Sequence, residues 1–341
     1  MKVNLRGLAV VAGLAHTTNA FTGNNCVRSS SFPTFLCAIG ALAKKAKEAD
    51  LRKYIEGGVE ESVREKYDIL KKALAKDDFH VQENTPGPLQ QELTKRKGTI
   101  TIVAEYRRKN SSIKEGFISD IFVPELLSPI FREYGASAVA VVADERMGGC
   151  SYDDLAEFIE EQRRAKNNVP GPLCVINSDL IIDELQVARS AAMGAAAVVI
   201  DIGVVGEGQL EVLLKATKAV ELEGVVAVAT KQEAQKAVDL GARLILVNCL
   251  DDAEKKAEIV RDLVIPEGQQ VCTLANILTR KNNQYQEIED AWALRDKGFN
   301  SVWVGDALYK AGNESSESPG AYEKRVCVKS QPINDRLLRA H

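Results

Sequence analysis

Four short apolar runs recur along the chain, and each follows a glycine and stops at a polar residue. They occupy residues 135–144, 194–201, 241–248 and 298–306. This pattern predicts a helix that ends at a glycine, then a tight turn and a strand buried on both faces. Repeated units of this kind build parallel sheets, and the functional residues of such folds lie at the carboxyl ends of the strands.

Apolar runs of strand length occur eight times, and amphipathic segments of helical length lie between them. The predicted strands are 100–105, 138–144, 173–177, 197–201, 225–229, 244–248, 271–274 and 301–305. The predicted helices are 124–134, 152–166, 183–193, 207–222, 231–240, 252–263, 284–297 and 321–329. Eight such units predict an α/β fold, the closed (β/α)8 or TIM barrel. An open doubly wound sheet is the alternative, but no G-x-G-x-x-G follows the first strand.

The segments on either side of the barrel region have different compositions. Residues 42–55 and 59–76 have helical patterning and precede a Pro/Gly break at 85–88. We therefore expect residues 38–98 to form an N-terminal helical extension of a barrel that covers residues 99–329. Residues 330–341 are expected to be a C-terminal tail.

The first 37 residues have the pattern of a targeting sequence. Lys2 and Arg6 precede an apolar stretch, 8–15, that is too short to span a membrane, and a small-residue cleavage site follows at 18–20. The next segment is Ser-rich and contains no acidic residue before Glu48. A signal peptide followed by a transit-like stretch resembles the bipartite leader of algae with complex plastids. We therefore expect a protein of the chloroplast stroma that is not membrane-bound in its mature form.

The bulk composition is that of a globular protein, with 45% hydrophobic and 27% charged residues in 341. The formal net charge is −4, from 44 basic and 48 acidic residues with no basic block, which argues against a nucleic-acid-binding protein. The seven cysteines have no metal-binding spacing. Cys174, Cys249 and Cys272 lie in apolar runs and are expected to be reduced core thiols.

The segment after the first predicted strand, residues 105–112, combines one carboxylate, three cations and two serines. At a barrel mouth such a set suits an anionic substrate, with the carboxylate of Glu105 orienting a neighbouring cation. A solvated basic loop is the alternative, and this segment alone does not decide between them.

These residues and others resemble the indole-3-glycerol-phosphate synthase family. That family has Glu-x-Lys-(Arg/Lys)-x-Ser-Pro-Ser after its first strand, and this chain keeps Glu105 and has Arg107 at the first lysine. Further matches, in the same order over residues 40–329, are Asp144, Glu145, Ser151, residues 179–186, Asn248 and residues 304–308. The resemblance implies a barrel of the ribulose-phosphate-binding type, with an N-terminal helical extension.

The resemblance also implies an activity in tryptophan biosynthesis. The family closes the indole ring of 1-(2-carboxyphenylamino)-1-deoxyribulose 5-phosphate with loss of carbon dioxide and water, so it is a carboxy-lyase with a small phosphorylated substrate and no cofactor. A protonated lysine serves as general acid and a glutamate transfers a proton. Carried over, the catalytic residues are Glu105, Arg107 and Asn248, and the substrate- or phosphate-binding residues are Lys109, Ser112, Asn276 and Gly305.

Several family positions are substituted in this chain. Ser178 stands at the general-acid lysine, Ala227 at the strand-five glutamate, and 275–277 at the Glu-Ser-Gly motif after strand seven, with Ala275 at the glutamate. Ala307 replaces a phosphate-binding serine. A serine cannot be a cationic acid at neutral pH, so these losses fall on the catalytic side.

Other polar residues near strand ends are weaker candidates. Asp179 and Asp201 are expected to be helix caps or loop residues, and Lys231 a solvated residue in the first turn of a helix. Two hypotheses therefore remain: a synthase with impaired activity, and a non-catalytic barrel that serves as an anion-binding or assembly module, with a protein partner that the sequence does not name. A different barrel reaction using Glu105 and Asp201 is a third possibility.

Overall fold

A closed barrel of eight parallel strands forms the centre of the protein. The computed structural model describes residues 32–76, 85–95, 98–109, 123–277, 286–305 and 308. Each strand pairs with the next in chain order, and the first pairs with the last through Thr101 and Ser301. The predicted (β/α)8 barrel is confirmed, and the alternative of an open sheet is wrong because the edges are joined.

The eight strands and the described barrel helices that were predicted lie within about three residues of their predicted positions, whereas the first helix begins at Phe32 instead of residue 42 and the short helix Ile202–Val205 was not predicted. The strands are β1 (Thr101–Tyr106), β2 (Ala138–Val141), β3 (Cys174–Asn177), β4 (Ala197–Asp201), β5 (Glu223–Val228), β6 (Leu244–Val247), β7 (Cys272–Ile277) and β8 (Ser301–Val304). The helices are α1 (Phe32–Gly57), α2 (Glu61–Lys76), α3 (Pro88–Thr94), α4 (Pro124–Glu133), α5 (Tyr152–Arg164), α6 (Glu184–Met193), α7 (Ile202–Val205), α8 (Glu207–Ala219), α9 (Lys231–Asp239), α10 (Ala253–Val260) and α11 (Gln286–Asp296). A 3₁₀ turn, Ala165–Asn167, follows α5.

The glycines that led the four apolar runs end helices α4, α6, α9 and α11 as predicted. Gly135, Gly194, Gly241 and Gly298 have φ angles of 94°, 92°, 87° and 93°. An L-residue with a side chain rarely adopts this left-handed conformation, so glycine allows the chain to leave each helix and enter the next strand at once.

Alternation along the strands divides the core into two layers. The cluster inside the barrel includes Val103, Ile176, Leu244 and Trp303. The residues that alternate with these along the same strands belong to the larger cluster between barrel and helices. Because successive side chains of a strand point to opposite faces, each strand contributes alternate residues to the barrel interior and its mouth.

Helix α3 closes the base of the barrel, at the amino ends of the strands. Leu89 and Leu93 pack inside the barrel cluster, and the carboxylate of Glu223 accepts hydrogen bonds from the backbone amides of Leu89 (2.6 Å) and Gln90 (3.1 Å). The sequence indicated only a Pro/Gly break here, because a seven-residue helix is too short to give a periodic pattern.

The N-terminal helices pack onto the barrel, with α2 against α6 and α8. The predicted boundary at residue 38 falls within α1, while residues 1–31 of the predicted leader, the predicted helix 321–329 and the tail 330–341 lie outside the described residues. Within the described part of the chain, no helix combines the length and hydropathy needed to cross a membrane.

Lys47 of α1 anchors the helix to the carboxyl ends of β2 and β3. Its ammonium contacts Asp144 after β2 and lies 2.5 Å from Asp179 after β3, and all three residues are buried. Removing buried charges from water is costly, so the two carboxylates depend on this ammonium. We call Lys47, Asp144 and Asp179 the ion triad.

Replacing the ammonium of the triad is expected to destabilise the fold. Lys47→Met leaves two buried carboxylates without their shared cation, and breaking buried pairs in this way typically costs about 3–5 kcal/mol of unfolding free energy. Urea unfolding at neutral pH measures this loss. Lys45→Met, at an exposed position of the same helix, is the control, and equal midpoints for the two variants would show that the triad contributes no stability.

Candidate functional site

A cavity of about 620 Å³ opens at the carboxyl ends of the strands, and all eight strands or the residues that follow them contribute to its lining. We call it the mouth cavity. It brings together most of the residues predicted for the site: Glu105, Arg107, Ser178, Ala227, Asn248, Asn276 and Gly305. These residues meet because parallel strands end on one side of the barrel.

Glu105 is buried and held by two donors on opposite sides of the cavity wall. One carboxylate oxygen accepts a hydrogen bond from the guanidinium of Arg107, and the other accepts one from the indole Nε1 of Trp303 at 2.6 Å. A Cβ atom at Gly305, directly after β8, would lie 2.8 Å from the Glu105 carboxylate, so a side chain there would require Glu105 to shift. Glu105 contacts the guanidinium of Arg107, and both residues line the mouth cavity.

The other cations of the first loop point elsewhere. Lys109 donates to the backbone carbonyls of Glu145 and Arg146, at 2.8 and 2.6 Å, and is absent from the cavity lining. Arg108 pairs with Asp154 at 2.7 Å. The expected substrate-binding role of Lys109 has no support in this geometry, because its ammonium is already engaged by carbonyl groups. Ser112 lies outside the described residues.

On β7 the side chain of Asn276, and not that of Ala275, faces the mouth cavity. Ala275 is fully buried in the layer between barrel and helices, whereas its neighbour Asn276 lines the mouth cavity. Strand alternation therefore makes Asn276, not Ala275, the position from which a side chain reaches the cavity. The Oδ1 atom of Asn276 is buried and has no hydrogen-bond partner among the described residues. The backbone carbonyl of Asn276 accepts a hydrogen bond from the buried Lys256 at 2.5 Å.

Asp179, expected to be a cap or loop residue, is the centre of a buried hydrogen-bond network. Besides Lys47, its carboxylate accepts hydrogen bonds from the hydroxyl of Tyr152 at 2.9 Å and from Gln186 at 3.2 Å. Burial raises the pKa of Asp179, and Lys47 counteracts only part of this effect. Burial also raises the pKa of Asp144, but the ammonium of Lys47 and two backbone amides lower it more, so its pKa lies below the usual range.

Sequence reasoning missed Lys47, whose ammonium contacts Asp179, the residue after Ser178. It follows no strand and lies in a Lys/Glu-rich helix whose other lysines give the same local pattern. Only its contacts with Asp144 and Asp179, which lie about a hundred or more residues further along, distinguish it. The triad lies on the edge of the mouth cavity, since both carboxylates line it.

Asp201 adds a carboxylate to the cavity beside the substituted glutamate position. It ends β4 in direct register with Ala227 of β5, and both line the mouth cavity. Burial raises the pKa of Asp201, the carboxylate of Glu233 adds to this, and the backbone amides of Gly203 and Val204 act in the opposite direction. Lys231 lies outside the cavity and pairs with Asp262 at 2.7 Å on the exposed surface.

The charge of the described cavity lining is predominantly negative. Four carboxylates, Glu105, Asp144, Asp179 and Asp201, line it, against the single guanidinium of Arg107. Among the described residues, no group of three or more His, Cys, Asp or Glu side chains is arranged to hold a metal ion.

Comparisons with known proteins agree with this architecture. A family profile described as indole-3-glycerol phosphate synthase matches residues 53–318. Three similar curated proteins have the same description. The protein of Leptospira interrogans is 31% identical over 153 residues, which cover 45% of this chain and 56% of that protein. The protein of Mycolicibacterium gilvum is 28% identical over 69% of this chain and 80% of its own length, and that of Mycolicibacterium vanbaalenii is 27% identical over 75% and 89%.

The raised pKa of Asp201 predicts how its removal changes stability with pH. The folded chain holds this proton more tightly than the unfolded chain, so the contribution of Asp201 is full below about pH 4 and is lost as pH rises through the folded-state pKa. Asp201→Asn cannot titrate. Relative to the unmodified protein, it should therefore gain unfolding free energy between about pH 4 and pH 7.

Urea unfolding at several pH values checks this prediction. Asp239→Asn, at an exposed carboxylate on α9, is the matched control for the charge change. A stability difference between Asp201→Asn and the unmodified protein that stays constant or falls with pH would contradict the proposed burial effect.

Proposed function

Because the chain belongs to the indole-3-glycerol phosphate synthase family, we propose that it is a member of this tryptophan-pathway barrel in which indole ring closure is lost. Its barrel then serves as a non-catalytic binding module. The observation that carries the proposal is that, among the described residues that line the mouth cavity, the only cation is Arg107, whose guanidinium contacts Glu105.

The family reaction begins with protonation of the substrate ketone by a lysine, and this chain has Ser178 at that position. The ammonium of Lys47 is nearby, but it is buried between two carboxylates and forms part of the support for α1. Arg107 is a poor proton donor because the pKa of a guanidinium stays above about 12. Loss of general acid–base groups commonly costs about 10²- to 10⁴-fold in rate.

The second ionisable group of the family reaction, the glutamate after strand five, is also missing. Ala227 faces the cavity at this position, and Asn276 faces it on β7. Asp201 lies on the neighbouring strand in register with Ala227, and it also lines the cavity. Loss of an acid together with a proton-transfer carboxylate removes the two groups that the family uses for proton transfer.

The charge of the mouth cavity also opposes the family substrate, which has a phosphate and a carboxylate. Among the described residues of the lining, four carboxylates stand against one guanidinium, and Ile277 occupies the position of a family glycine that binds phosphate. Like charges at short range disfavour binding, and a side chain at the glycine position blocks close approach to backbone amides. Weak substrate binding therefore accompanies the loss of chemistry.

A restoration experiment tests this proposal. The full chain and the double variant Ser178→Lys with Ala227→Glu are assayed for indole fluorescence with 1-(2-carboxyphenylamino)-1-deoxyribulose 5-phosphate. We expect the unmodified chain to have a kcat/KM at least about 10⁴-fold below that of the Mycolicibacterium gilvum relative. The double variant should recover at least about 100-fold of this loss, because it regains an acid and a proton-transfer group.

The matched control is Ser178→Met with Ala227→Gln, which adds side chains of similar size without ionisable groups. It should gain no activity. If the unmodified chain turns over within about tenfold of the relative, the proposal is wrong regardless of how the variants fold.

A further inference from the structure

We propose that a second cavity, outside the barrel mouth, binds an organic monocarboxylate through the guanidinium of Arg189. This Arg189 cavity has a volume of about 570 Å³ and lies between α1, the residues after β2 and the first residues of α5. It shares only the carboxylates Asp144 and Asp179 with the mouth cavity, so the ion triad forms a wall between the two.

The guanidinium of Arg189 is held by two aromatic rings. Its Cζ lies 4.1 Å from the ring centroid of Tyr54 and 3.7 Å from that of Tyr152. Contacts with two rings at these distances restrict the position of the guanidinium, and aromatic rings do not occupy its N–H donors as a carboxylate would. Arginine presents its donors in a planar fork that matches a carboxylate.

Arg189 has no hydrogen-bond or ion-pair partner among the residues that the structure describes. The side chain is partly buried, and its guanidinium lines the Arg189 cavity. The carboxylate of Glu60, whose charge is felt by Arg189, accepts a hydrogen bond from the Tyr54 hydroxyl instead. An oriented guanidinium of this kind, lining a cavity, is suited to an external anion.

The rings that hold Arg189 are themselves fixed. The hydroxyl of Tyr152 donates to Asp179 at 2.9 Å and accepts a hydrogen bond from Asn177 at 3.4 Å. Tyr54 is held by Glu60 on the other side. The receptor is therefore ordered before a ligand arrives, which lowers the entropy cost of binding.

The other charges of the cavity select a single negative charge over a double one. Of the other cations in the described lining, Lys47 is committed to the ion triad, Arg146 pairs with Asp50, and Lys53 is exposed to solvent. Glu145 and Asp153 remain exposed on the rim, where they repel a dianion such as phosphate more strongly than a monoanion. The lining is mostly polar, but Leu51 and the two tyrosine rings give it an apolar part that the planar organic body of a carboxylate can contact.

Calorimetric titration of the full chain with benzoate tests the proposal, with benzamide as the neutral isostere and inorganic phosphate as the dianion. We expect benzoate to bind with a Kd of about millimolar order, and benzamide and phosphate to bind at least about tenfold more weakly. Arg189→Met should weaken benzoate binding about 10- to 100-fold. Binding of benzamide or phosphate as tight as that of benzoate, or no benzoate binding, would overturn the proposal.

Two control variants locate the binding. Arg164→Met removes an exposed arginine of α5 and should leave benzoate binding unchanged. Arg107→Met removes the guanidinium of the mouth cavity and should also leave it unchanged, so this test is independent of the proposed loss of ring closure. If Arg107→Met abolishes benzoate binding while Arg189→Met does not, the carboxylate binds in the mouth cavity and the inference is wrong.

Discussion

The buried ammonium of Lys47 is the interaction on which the carboxyl end of this barrel depends. It contacts Asp144 after β2 and Asp179 after β3, and so fixes α1 across two strand ends. Buried charges are tolerated only when they are paired, so a change that removes Lys47 leaves the other two charges buried without their partner. Asp179 then orients Tyr152, and the Tyr152 ring holds Arg189. One ion triad thus shapes both the mouth cavity and the cavity beside it.

The same pairing limits the chemistry available at the mouth. A general acid must be free to give its proton to a substrate atom within hydrogen-bond reach, whereas Lys47 is committed to two carboxylates. Ser178 and Ala227 line the cavity where the family has ionisable groups, and Asp201 adds a carboxylate that does not repeat the family arrangement. The frame of the family is kept, and the proposed loss of ring closure follows from these substitutions.

The barrel could be predicted because its signals are local. Apolar runs, helix periodicity and the terminal glycines recur within each unit. The strand ends of a parallel barrel necessarily converge, which places Glu105 of β1 and Asn248 after β6 in one cavity. The features that the sequence did not predict depend on contacts between residues that are far apart along the chain. Lys47 is 132 positions from Asp179, and helix α3 at the base of the barrel is held by Glu223. Strand alternation, not the motif alignment, decides that Asn276 faces the cavity instead of Ala275.

A single-turnover measurement tests the central claim most directly. The full chain is mixed in excess with 1-(2-carboxyphenylamino)-1-deoxyribulose 5-phosphate, and indole fluorescence is followed, so that neither weak affinity nor slow product release hides the chemical step. With the general acid absent, the account predicts no indole product over minutes. A single-exponential formation of the indole product at about 1 s⁻¹ or faster, typical of working enzymes, would contradict it.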